Sequence, residues 1–312
     1  MLNFKSKCCL ILLALISLII FTVSCGNDEE TLTIYVSIDQ FIAEPIIAAF
    51  EQEYGIKVLP VFDVEATKTI GMVNRLIAEA DAPKADVFWS GEAAQTELLK
   101  RRGVVDDYVS FGGRARILLV NTDLVAEQDF PFSITCLLDE RFESVAIANP
   151  VFGTTSTHAA AIYSVWGTER ARDFFEDLRA RNANILDGNS VVRDKVAAGE
   201  IAVGLTDTDD AFFAIVDGKP VKIIYPDQND GEMGVFIIPN TVAKVAGTKN
   251  SENAELFISY LTSNATMTAL ADVGWFLSPE TQAGLKVMEI DFVELDQIIE
   301  QVKTEMTEMF IR

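Results

Sequence analysis

Short apolar runs alternate with helical stripes along this chain, and the alternation predicts an α/β fold. Leu32 to Ser37 reads as a strand, and Pro45 opens a helix with Ile46, Ile47, Phe50 and Tyr54 on one face. Ile56 to Phe62 is the next strand, giving a βαβ unit. A helix over 67–80 turns Ile70, Val73, Ile77 and Ala80 inward; Ala85 to Trp89 is a short buried strand, and Ala93 to Arg102 a helix stopped by Gly103. Strands follow at Ile117 to Asn121 and Ser144 to Ala148, then a helix from near Thr155. Helices at Glu169 to Arg181 and Val191 to Ala198, with strands at Ile201 to Leu205 and Val221 to Tyr225, complete a second α/β unit. Val235 to Ile238 returns as a strand. Helices over 251–262 and 265–272 come next, then an amphipathic tail with Leu295, Ile298, Ile299, Val302, Met306 and Met309 inward.

The first 25 residues stand apart. Lys5 and Lys7 precede an apolar run from Cys8 to Val23, followed by Ser24 and Cys25, the layout of an export signal. The run falls short of the roughly 20 residues a spanning helix needs. Thr22-Val23-Ser24-Cys25 resembles a bacterial lipobox, so residues 1–24 are expected to be a signal peptide and Cys25 the lipidated first residue of the mature chain. The remaining 288 residues exceed the usual single-domain size and predict two lobes. The expected division is lobe 1 over 30–120, completed by 240–312, and lobe 2 over 121–239, with the chain crossing near 118–135.

Composition narrows the function. A formal charge of -22, or -24 once Lys5 and Lys7 leave with the signal, would repel a phosphate backbone, so nucleic acid is excluded as a partner. One histidine, His158, and no Cys-x-x-Cys pair exclude a zinc site built on nitrogen and sulfur. His158, set among alanines, reads as a packed side chain rather than a ligand. Cys136 is the only cysteine after Cys25 and reads as a small buried apolar residue, without an intramolecular disulfide.

In open α/β lobes the chemistry lies just beyond the strand ends. Those positions hold Asp39, then Ser90-Gly91-Glu92, then Gly153-Thr154-Thr155-Ser156, then Thr206-Asp207-Thr208-Asp209-Asp210. Three carboxylates within four residues repel one another unless a cation or donors stabilise them, which favours a ligand-binding role for Asp207, Asp209 and Asp210. The alternative is that they only charge the start of a helix around Ala211 to Val216. An EF-hand register beginning at Asp207 fails at Phe212 and Gly218, and a dehalogenase-type DxDx[TV] register fails at Ala211. Thr154, Thr155 and Ser156 at a helix start, with Asn189 and Ser190 before the next helix, could hold an anion or serve as ordinary caps. Trp89 could floor the cleft or close the core. No serine sits in a G-x-S-x-G elbow, which leaves a Ser-His-Asp hydrolase without a nucleophile.

The order of Leu32-Thr33-Ile34-Tyr35, the segment Phe50 to Val58, Ala85-Asp86-Val87-Phe88-Trp89, Gly113-Arg114-Ala115-Arg116 and Gly199-Glu200-Ile201 resembles the ferric-iron-type periplasmic solute-binding proteins of ABC importers. That resemblance implies a two-lobed periplasmic-binding-protein fold (type II-like) with a hinge and an interlobe cleft. The family's iron ligands are a histidine, a glutamate and a tyrosine pair, with a bound anion. Matched motif to motif, these fall on Asp39, Glu92, and Asp209 with Asp210, and the anion on Thr154, Thr155, Ser156, Asn189 and Asp207. Every metal position is thus a carboxylate, suited to a hard cation but lacking the phenolates that favour ferric iron. The expected function is a lipid-anchored binding protein, with no cofactor required, that hands a metal cation, Fe(III) among the candidates, to an ABC permease and its ATPase. It is expected to be a monomer that touches membrane only through its anchor. The alternative cargo is a small organic cation or aminophosphonate, of the polyamine, thiamine or 2-aminoethylphosphonate type, with Trp89 offering a cation-π face. An exported metal-dependent hydrolase using the Asp cluster is the contrasting class.

Overall fold

The computed structural model describes residues 30–62 and 70–311, so the signal and Cys25 lie outside the described residues, as does the side chain of Ile70. The first half of the chain reads β1 (Thr31–Val36), α1 (Gln40–Tyr54), β2 (Lys57–Phe62), α2 (Ile70–Ala78), β3 (Val87–Ser90), α3 (Ala93–Arg101), β4 (Val105–Asn121) and β5 (Val145–Ala148). It continues with α4 (Gly153–Trp166), α5 (Thr168–Ala180), β6 (Asn184–Leu186), α6 (Asn189–Ala197), β7 (Val203–Asp207), α7 (Thr208–Val216), β8 (Val221–Ile224) and β9 (Ile237–Val245). The last helices are α8 (Ser251–Leu261), α9 (Asn264–Asp272), α10 (Pro279–Ala283) and α11 (Phe292–Phe310).

The strands run in the order β2-β1-β3-β9-β4-β7-β5-β6, with β8 also on β4. Parallel pairs lie at both ends, where βαβ crossovers cover the strands with helices. The centre is antiparallel and is made by two long strands. Residues Val105 to Ala115 of β4 pair with β9, while Arg116 to Val120 pair with β7 and Leu118 to Asn121 with β8. A single strand thereby belongs to both halves. Its register slips between Phe111 and Arg114, where Gly112 takes φ +55° and a Cβ would fall 2.4 Å from the Phe276 ring. Only glycine suits both the left-handed backbone and that approach.

Sequence periodicity sees only the last five residues of β4, because Val105 to Gly113 carries scattered polar residues on a half-exposed surface. The change of partner at Ala115 and Arg116 therefore comes before the stretch 118–135 in which the sequence suggests a crossing. A second difference concerns α1, which begins at Gln40 and takes Pro45 into its interior. Asp39 consequently occupies the N-cap position directly after β1. In the last helix Leu295, Ile299, Val302 and Met306 join the core that contains Ile134, Ile147, Tyr163 and Phe174. Tyr163 and Arg172 both donate to Glu305, each at 3.0 Å, tying α11 to α4 and α5. Among the described residues no helix is long and apolar enough to cross a membrane.

Candidate functional site

A cavity of about 780 Å³ opens where the ends of β1, β3, β5 and β7 meet the crossing strand β4. Each strand delivers one element of its wall. Asp39 follows β1. Beyond β3, Glu92 occupies the N-cap position of α3, its backbone N–H donating to Ser90 Oγ at 3.1 Å. Thr154 and Thr155 lie in the first turn of α4, and Asn189 opens α6. Asp207 ends β7, and Asp209 and Asp210 are in the first turn of α7. All eight line the cavity.

Two arginines within β4 organise these carboxylates. Arg116 is fully buried; its Nη1 donates to Asp207 Oδ1 at 2.6 Å and to Asn189 Oδ1 at 2.8 Å. The other Asp207 oxygen accepts from Thr154 Oγ1 at 2.8 Å and Asn189 Nδ2 at 3.0 Å. Asp207 makes no side-chain bond to the start of α7, so its role is this ion pair rather than capping. Arg114 lies against the Trp275 ring, its Cζ 4.6 Å from the centroid. It donates to Asp209 Oδ2 at 3.1 Å and to the Gly91 carbonyl at 3.0 Å, so it bonds the loop beyond β3 and the start of α7 together. Arg193 reaches Asp210 Oδ1 at 3.4 Å. The legible signal was Arg114 and Arg116 alternating into an apolar strand, since a guanidinium buried there needs an acidic partner.

The electrostatics remain acidic. Asp39, Glu92, Asp187, Asp207, Asp209 and Asp210 line the cavity against Arg114 and Arg193. Single carboxylate oxygens of Asp207, Asp209 and Asp210 come within 4.8 Å of one another. Burial raises the carboxyl of Glu92 to about 7, against the pull of the Thr157 hydroxyl that donates to its Oε2 at 2.8 Å. Burial also raises Asp209, opposed by Arg114, and raises Asp210 well above the usual range with the help of Asp209 and Asp207. Glu92 Oε1 and Asp209 Oδ1 are buried without a hydrogen-bond partner among the described residues. Such groups are costly unless something donates to them.

Two candidate residues are not in the wall. Trp89 is fully buried, packs in the core with its ring 6.4 Å from that of Phe257, and cannot present a face to a ligand. Its place is explained by β3, a central strand covered on both faces. Trp275, from the segment after α9, is the tryptophan that lines the cleft. Ser156 turns its hydroxyl back to the Gly153 carbonyl at 2.9 Å, the usual fate of a serine one turn into a helix. His158 is buried and stacks on Phe236 at 5.3 Å, with its pKa held well down by burial; Cys136 is buried and unbridged.

The sequence profile of the bacterial extracellular solute-binding proteins matches residues 32–276. The chain belongs to that family. It is a solute-binding protein, not an enzyme, which removes the hydrolase reading. A 2-aminoethylphosphonate-binding periplasmic protein of Salmonella typhi, itself named as putative, is 23% identical over 228 residues, covering 65% of this chain and 65% of that protein. The major ferric iron-binding protein of Neisseria meningitidis is 21% identical over 293 residues, covering 86% and 87%. Among solved structures, iron-bound HitA from Pseudomonas aeruginosa superposes with a TM-score of 0.77 at 18% identity, over 89% of this chain and 99% of that one. AfuA from Actinobacillus pleuropneumoniae with bound fructose-6-phosphate gives 0.77 at 19%, over 91% and 99%. The fold is therefore the two-lobed periplasmic-binding-protein type, with the cavity in the cleft between the lobes.

Proposed function

We propose that this chain is the solute-capturing subunit of an ABC importer, exported, monomeric and lipid-anchored through Cys25, and that its cargo is a small cationic solute. The observation that carries this reading is the acid excess of the cleft wall: six carboxylates against two guanidiniums, with Arg116 behind them already paired. A low-dielectric cleft lined by one sign of charge concentrates the opposite sign. The lobes close about β4 and β9, the boundary falling at Ala115 and Arg116, and hand the cargo to a permease and its ATPase. Replacing Cys25 by Ser is expected to abolish lipid labelling and release the protein from membranes.

The cavity volume and the ion pairs favour an organic ammonium over a bare metal ion. About 780 Å³ lies within the range of small-molecule pockets, far larger than one ion requires. Asp207 and Asp209 are also committed to Arg116 and Arg114, which leaves fewer oxygens for a coordination sphere. The aminoethylphosphonate relative supports the same choice, with the start of α4 available to an oxyanion. A hard metal ion on Asp39, Glu92, Asp209 and Asp210 is the second reading, favoured by the 4.8 Å clustering of the aspartates and by the ferric relatives. Native mass spectrometry of protein purified without chelator tests the choice. An organic mass retained by the folded chain is expected, and a stoichiometric metal adduct alone would overturn it.

A further inference from the structure

Three phenylalanines from three separate elements converge on the acidic cavity. Phe41 is on α1, Phe152 immediately precedes α4, and Phe213 is on α7; all line the cleft. Phe41 and Phe152 are 57% and 54% exposed, and Phe41 meets the edge of Phe213 at a centroid distance of 5.6 Å. Isolated exposed apolar residues are ordinary, but three rings gathered around one cavity form an apolar wall that water covers poorly. Glu92 and Asp209, on the acidic side of the same cavity, each keep one buried carboxylate oxygen, Oε1 and Oδ1, without a partner among the described residues.

We propose that the cargo is a primary ammonium carried on an apolar body of aromatic size, its N–H groups donating to Glu92 and Asp209 and its body lying against Phe41, Phe152 and Phe213. This rests on the cationic-cargo reading above and sharpens it. Each part of the ligand is specified by a different feature of the wall. The unpartnered oxygens require donors, which an ammonium supplies and a quaternary nitrogen does not. The rings require carbon, which a hydrated metal ion lacks, and a cation beside them gains from the ring faces as well.

Calorimetric titration of the mature protein with 2-phenylethylamine, its N,N,N-trimethyl derivative, ethylamine and ferric citrate tests the assignment. The expected order places 2-phenylethylamine at least about tenfold tighter than either ethylamine or the trimethyl compound, since one tenfold step corresponds to about 1.4 kcal/mol. Phe41→Ala and Phe152→Ala, both at exposed positions that do not threaten folding, are expected to remove most of that preference. Equal affinity for the two primary amines, or a trimethyl compound that binds as well as the parent, would overturn the proposal. Either of those outcomes would leave the cationic-cargo reading standing, whereas binding of ferric citrate, an anionic chelate, without any amine would overturn both. Failure of every cation tested would bring down both.

Discussion

Replacing Arg116 by Met is expected to destabilise the protein by about 3 to 5 kcal/mol, because it strands Asp207 as a buried charge without its closest partner. Both side chains are essentially inaccessible, and their contact is 2.6 Å. Thr154 and Asn189 would still donate to the other Asp207 oxygen, and Arg114 lies 3.8 Å from it, which places the loss nearer the lower end. The double variant Arg116→Met with Asp207→Asn is expected to recover much of the loss, since the penalty comes from the unpaired charge rather than from the absence of a salt bridge. Urea denaturation of the two variants beside the parent measures this. A single variant within 1 kcal/mol of the parent would show that Asp207 is not held in a dry environment, as ~1 kcal/mol is what an exposed pair contributes.

Glu92 provides the second large effect. Its carboxyl titrates at about 7 in the folded protein, against an ordinary value of 4.5. Between those values the unfolded chain has released the proton that the folded chain retains, so stability falls as pH rises through the window. Above pH 7 the penalty is complete and amounts to about 3 kcal/mol. Glu92→Gln, which can still accept from Thr157, is therefore expected to raise the stability of the empty protein at pH 8 by up to about 3 kcal/mol and to change little at pH 4. A cationic cargo acts oppositely by favouring the ionised carboxylate, so affinity should strengthen from pH 6 to pH 8 with release of protons on binding. Thermal melts and calorimetry in buffers of different ionisation enthalpy follow both effects. A Glu92→Gln variant that keeps the pH dependence of binding would assign the proton elsewhere, with Asp210, also raised by burial, the next group to replace.

The acids of the cleft were legible because strand-end positions can be read from hydrophobic pattern alone. Asp39, Glu92, Asp207, Asp209 and Asp210 each follow a short apolar run, and the structure gathers all five around one cavity. Thr154, Thr155 and Asn189 came with them through the same rule. Ser156 did not, because one further step along α4 rotates the side chain away from the cleft to the Gly153 carbonyl. Trp89 failed for the strand counterpart of that reason: the sequence shows an aromatic at a strand end without showing that helices cover both faces of that strand.

By itself the sequence determined the alternating α/β order and the acidity of the strand ends, since both follow from local periodicity and from residue chemistry at positions near in the chain. Only the tertiary structure decided how those acids are used. Arg114 is 95 residues from Asp209 and Arg116 is 91 from Asp207, so no local pattern reveals that these carboxylates are paired. The same holds for the apolar lining of the cleft, where Phe41, Phe152 and Phe213 come from three elements far apart in the chain. It holds also for β4, whose polar first half reads as loop until β9 pairs with it. Charge pairing, ring clustering and strand pairing are each fixed by distance in space, which a periodic reading of the chain does not contain.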